Sequence, residues 1–110
     1  MAKRDQHIVV LVTAKDQPQA RAIARGLLND KLIACANVVK GVESMFWWQG
    51  KIDKAGEVLL VLKTRKGLFN KVCARVKALH SYDTPEVIAL PIIDGNRDYL
   101  NWIDASVHSK

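Results

Sequence analysis

The chain has 110 residues, 49% hydrophobic and 25% charged, which excludes a disordered chain and predicts one domain, residues 1 to 110, with a modest core. Seventeen Lys and Arg against eleven Asp and Glu give a net charge of +6, which favours acidic partners only if the positive charge gathers on one face. The apolar run "IVVLV" after "MAKRDQH" is too short for a secretory leader, no run can span a bilayer, and Cys35 and Cys73 lie far apart without a CxxC; no membrane partner is expected, and a reducing cytoplasm is.

"HIVVLVT", residues 7 to 13, is β-branched and continuously apolar, the pattern of a strand buried on both faces. Asp16, with Pro18 in the first turn and Gln19 three residues on, is a capping-box signature, and Ala20, Ile23, Ala24, Leu27 and Leu28 follow at helical spacing. From Ile33 the chain extends through "IACANVVKGVESMFWW", and "QGK" supplies the glycine of a tight hairpin turn. The return strand runs from Lys51 to Lys63, with candidate bulges at Gly41 and Gly56. Phe69, Val72, Cys73, Val76 and Leu79 predict a second amphipathic helix. Val87 to Leu90 predict a fourth strand stopped by Pro91, and Tyr99, Leu100, Ile103 and Val107 a short terminal helix.

This order, β-α-β-β-α-β plus a helix, is an α+β arrangement: a ferredoxin-like two-layer sandwich with a C-terminal helix and a long hairpin. Right-handed crossovers place strands one and three centrally. Two features do not suit an isolated copy. Ile8 to Val12 and Val58 to Leu62 are apolar at every position, although helices cover only one face of a two-layer sheet. The strand from Ala34 to Trp48 spans about 50 Å at roughly 3.3 Å per residue, against a radius of gyration of about 13 Å for a domain this size. Its tip, "MFWWQG", carries three adjacent aromatics that need a partner surface. Copies packed sheet against sheet relieve both problems.

"CANVV", "FWWQGKI", "LLVLKT", "LHSYDTPEVIALPI" and "YLNWI" together resemble the CutA family of divalent-cation tolerance proteins over nearly the whole chain. The resemblance implies a compact cytoplasmic homotrimer, unusually stable and similar in architecture to PII-type signalling proteins. It also implies an association with copper and other divalent cations. Where the family commonly has proline after the histidine and glutamate after the tyrosine, this chain has Ser81 and Asp83.

Several residues are candidates for chemistry. His80 either closes helix two through its last carbonyls or binds a metal through imidazole, with Cys35, Asp83 and Glu86 as further ligands for copper or another divalent cation. Cys35 is otherwise a small buried hydrophobe, and Cys73 still more so. Phe46, Trp47 and Trp48 read as trimer-interface anchors. Lys63, Tyr82 and Glu86 read as polar groups of an intersubunit cleft open to a small ligand. Lys63, Arg65, Lys66, Lys71, Arg75 and Lys77 raise RNA binding, but "VLLVLKTR" lacks the aromatic RNP1 pattern. A solvated basic face is expected instead, and nucleic acid is not expected as a partner. The chain has no serine elbow and no phosphate loop, so it is not expected to be an enzyme.

Overall fold

The computed structural model describes residues 6–108. Strand β1 (His7–Ala14) leads to helix α1 (Gln17–Asn29), and the long strands β2 (Cys35–Trp48) and β3 (Lys51–Arg65) form the hairpin. A short 3-10 turn, Lys66–Leu68, runs into α2 (Phe69–Leu79); β4 (Val87–Pro91) and α3 (Arg97–Ser106) follow. The sheet order is β2-β3-β1-β4 with every pairing antiparallel, so strands one and three are central as predicted.

Local chemistry accounts for the element ends. Asp16 caps α1 by accepting from the Gln19 amide at 2.9 Å, which is half of the predicted capping box. The Gln19 side chain accepts instead from Ser81 Oγ at 3.0 Å, linking α1 to the loop after α2. The hairpin closes on Gln49 and Gly50, with φ values of 49° and 78°, a pair of positive dihedrals that matches the right-handed twist of the flanking strands. Asn96 caps α3 by accepting from the amides of Asp98 and Tyr99.

The core lies between α1, α2 and one face of the sheet. Ile8, Val10, Val12 and Ala14 from β1 and Val58, Leu60, Leu62 and Thr64 from β3 are buried, with Ile23, Leu27, Val72 and Val76 from the helices. The alternate residues Val9, Leu11, Val61 and Leu59 are only half-buried, because they point to the other face, which α1 and α2 do not cover. On that outer face Ile88 and Leu90 of β4 are 51% and 48% exposed. Asp104 of α3 meets the His7 ring at 2.9 Å and Arg65 at 3.9 Å, closing one end of the sheet.

The hairpin overhangs rather than folding back: the molecule measures 50 × 25 × 22 Å with a radius of gyration of 14.7 Å. Register shifts between Val39 and Val42, where Lys40 and Gly41 oppose Val58. Gly41 has φ 75°, so the bulge falls at one of the two predicted places. Gly56 pairs regularly with Glu43 and carries no bulge. Pro91 does not stop β4 short but ends it, opposite Ile8 on an edge strand, where its missing amide hydrogen costs no central ladder bond. Val107 lies just beyond α3 and caps it.

Candidate functional site

His80 is the C-cap of α2, its amide bonded to the Val76 carbonyl. Its side chain does not return to that helix. Nε2 meets the Thr13 carbonyl of β1 at 2.7 Å, and Nδ1 meets the Tyr82 amide at 3.0 Å. A carbonyl only accepts and an amide N–H only donates, so the ring is the tautomer protonated at Nε2. Both nitrogens are therefore committed to fixing the loop. The His80 and Tyr82 rings also stack at a tilt, with centroids 4.6 Å apart.

So anchored, the loop carries Tyr82 over to β3, where its hydroxyl donates to Glu57 Oε2 at 2.9 Å. Glu57 is only 9% exposed. Burial first, and then the hydrogen bond to Glu57 and the charges of Glu57 and Asp16, push the Tyr82 phenol up to about 12. Between this loop and the hairpin arm lies a cleft of about 810 Å³. Phe46, Trp48, Asp53 and Glu57 line it from the hairpin, and Tyr82, Asp83, Pro85 and Glu86 from the loop.

The three aromatics at the tip do not form one patch, because side chains alternate across a strand. Phe46 pairs with Asp53 and Trp48 with Lys51, whereas Trp47 pairs with Ile52. Phe46 and Trp48 line the cleft, while Trp47 and Ile52, 73% and 68% exposed, share the opposite face of the ribbon.

The predicted metal set is not brought together. Asp83 and Glu86 are on the cleft, but Cys35 pairs with Lys63, six residues along β3 from Glu57 or about 20 Å at the rise of a strand. Among the described residues, no three His, Cys, Asp or Glu side chains are grouped to hold a metal ion. Lys63 likewise stands apart from Tyr82 and Glu86: its ammonium donates to Asn37 Oδ1 and lies 3.9 Å from the Cys35 sulfur. Burial, followed by the neighbouring Cys35 thiol, pushes the Tyr99 phenol up. Cys73 is half-buried, and burial raises its thiol. Of the basic residues, Arg75 pairs with Asp30 at 2.8 Å and Arg65 donates to the His108 carbonyl. No helix among the described residues is long and apolar enough to cross a membrane.

Glu57 and Asp53 escaped the reading of the sequence. One signal was available: Glu57 opens "EVLLVL", and a carboxylate abutting a buried run needs a partner.

The profile of the CutA1 divalent ion tolerance protein family matches residues 8–106. The chloroplastic protein CutA 1 of Oryza sativa is 46% identical over 99 residues, covering 90% of this chain and 56% of the rice protein. The divalent-cation tolerance protein CutA of Thermus thermophilus is 47% identical over 95 residues, covering 86% and 92% respectively. The chain thus spans about half the length of the plant relative and most of the bacterial one. Among solved structures, CutA1 from Oryza sativa superposes with a TM-score of 0.94 at 43% identity, covering 96% of this chain and 97% of that one. The divalent cation tolerance protein of Thermus thermophilus superposes at 0.91 with 44% identity, covering 93% and 99%. The two Thermus thermophilus relatives are named for divalent-cation tolerance. With nearly all of β1 through α3 inside the matched residues, the chain belongs to the CutA1 divalent ion tolerance family.

Proposed function

We propose that the chain works as a homotrimer of ferredoxin-like subunits that binds divalent cations in the cytoplasm without transforming them chemically. The observation that carries the assembly is the outer sheet face: Val9, Leu11, Leu59 and Val61 are half-buried on the side that α1 and α2 leave open, and Ile88 and Leu90 stand beside them in solvent. A continuous apolar face of this kind marks an interaction surface, and the free edges of β2 and β4 can pair with another copy. Three copies is the number that the family resemblance implies. The two half-buried thiols suit a reducing compartment.

The donors available favour one class of cation over another. Copper favours thiolate and imidazole, yet both His80 nitrogens are used and Cys35 opens β2 opposite Lys63, at the other end of the hairpin from its tip. The cleft offers carboxylate oxygens from Asp53, Asp83 and Glu86, a donor type that suits Mg²⁺, Ca²⁺ or Mn²⁺. The reading proposed is cation binding through Asp83 and Glu86, with His80 and Cys35 outside the ligand set.

Native mass spectrometry at micromolar concentration tests the assembly: three chains are expected, and a stable monomer overturns it. Calorimetric titration with Mn²⁺ tests the oxygen site, with binding lost in Asp83→Asn combined with Glu86→Gln. Cu²⁺ binding that vanishes in Cys35→Ser or His80→Asn would restore the thiol and imidazole set.

A further inference from the structure

We infer that the outer surface of the α1–α2 layer docks a short acidic peptide segment, a run of Asp or Glu from a partner protein. This surface lies on the opposite side of the sheet from the face proposed above for assembly, so it stays in solvent whether the chain is single or associated.

The distribution of charge is the first observation. Residues 15–31 and 66–79, which hold α1, α2 and their flanking turns, carry eight Lys and Arg and two acids, whereas the other described residues carry six and eight. The excess of this layer alone equals the +6 of the whole chain, and positive charge gathered on one face is what selects an acidic partner. Neither helix contains an Asp or Glu. The two acids stand at the ends of α1 and are engaged, Asp16 with the Gln19 amide and Asp30 with Arg75. Among the described residues no acid lies within ion-pair distance of Arg21, Arg25 or Lys77, and all three are exposed.

Helix geometry arranges these cations. The two helices pack side by side, Asp30 against Arg75 at one end and Gln19 against Ser81 at the other. At about 100° per residue, the exposed Ala22, Ala74 and Ala78 form the crest of the layer, with Arg21 and Arg25 on the flank of α1 and Lys77 on that of α2. An acidic segment laid along the crest meets cations on both sides. Arg21 spends one donor on Gln17, and a guanidinium has five in a fork that matches a carboxylate.

Among polyanions the surface favours a peptide. No exposed residue of either helix is aromatic, and single-stranded nucleic acid binds by stacking on aromatics. Leu28 is the one long apolar side chain exposed on these helices, whereas a helix seated on a bilayer presents a continuous apolar face. Asp16 and Asp30 bound the patch to the length of α1, 13 residues or about 20 Å. A duplex, with a charge every ~1.7 Å of its axis, would carry its phosphates past both acids, while about six extended residues fit between them.

A fluorescein-labelled hexaglutamate peptide is the probe and its hexaglutamine counterpart the control, read by fluorescence anisotropy at low salt. Saturable binding is expected for the first and none for the second. Affinity should fall by at least about tenfold when Arg21→Gln, Arg25→Gln and Lys77→Gln are combined, and should weaken as salt rises, because exposed charges are screened. Removing the same number of charges from the hairpin, Lys40→Gln, Lys51→Gln and Lys54→Gln together, should leave affinity within about twofold of wild type, since these lie beyond the screening length of the patch. No saturable binding, equal binding of the glutamine peptide, an affinity indifferent to salt, or an equal loss in both triple variants overturns the inference. Tighter binding of a short DNA duplex or of phosphatidylglycerol vesicles overturns it too, by giving the face to a phosphate backbone or a lipid surface.

Discussion

Tyr82 donates its phenolic proton to Glu57 across 2.9 Å, and this single bond ties the loop after α2 to the middle of the hairpin. Its titration has a definite sign. The folded phenol is pushed up to about 12, against about 10 in an unfolded chain. Below pH 10 both states hold the proton and the contribution is complete; from about 10 to 12 only the folded state does, so stability falls as pH rises through that window. Denaturation midpoints measured from pH 9 to 12 should decline more steeply for wild type than for Tyr82→Phe. Parallel profiles would show that the bond is not maintained.

His80 is expected to matter for stability and not for cation affinity. His80→Ala removes the donor to the Thr13 carbonyl and the acceptor for the Tyr82 amide, and leaving such groups unpaired costs about 1–3 kcal/mol. Chemical denaturation should show that loss while the Mn²⁺ titration stays as in wild type. A large drop in affinity at unchanged stability would return His80 to the ligand set.

Two glycines of the hairpin should respond oppositely to alanine. At Gly41 a methyl group meets nothing within 4 Å, but φ is +75°, and an L-residue in the left-handed region costs about 1–2 kcal/mol. Gly56 has the same open space without the positive φ. Gly41→Ala should lower the denaturation midpoint, and Gly56→Ala should leave it level or raise it. Equal responses would mean that the bulge relaxes freely.

Trp47 and Trp48 are 73% and 60% exposed in the single chain, so their contribution depends on a partner surface. Truncating a Trp that becomes buried in an assembly costs about 3–5 kcal/mol. The double alanine variant should dissociate at protein concentrations where wild type remains associated, as read by light scattering. An unchanged mass over the whole dilution series would remove these residues from the interface.

The element order, the central strands and the Gly41 bulge could be read from the sequence because each has a local signature: β-branched runs, an Asp16 cap, a glycine in a long strand. The unpartnered outer face could be read as well, since Ile8 to Val12 lack any polar alternate. The site was less legible. Linear proximity grouped His80 with Asp83 and Glu86, but it carries no information on where the imidazole nitrogens point, and these turn to β1 and to the loop itself. Cys35 was joined to that group by its chemistry alone, whereas strand register places it opposite Lys63. Glu57 was passed over because its partner, Tyr82, lies 25 positions away. Only tertiary structure brings the two together.

The extra residue at Lys40 and Gly41 also acts as a phase switch for everything beyond it. Before the bulge Cys35, Asn37 and Val39 pair with the outer-face residues Lys63, Val61 and Leu59; after it, Val42, Ser44, Phe46 and Trp48 pair with Glu57, Ala55, Asp53 and Lys51. The outward positions of β2 thus pass from odd to even numbers at the bulge, while those of β3 stay odd throughout. A regular ribbon of the same sequence would turn Trp47 toward the carboxylates and send Phe46 and Trp48 to the far side. Deleting one residue here would leave the composition of the arm almost untouched and exchange its two faces, so the aromatic wall of the cleft depends on a count of residues as much as on their kind.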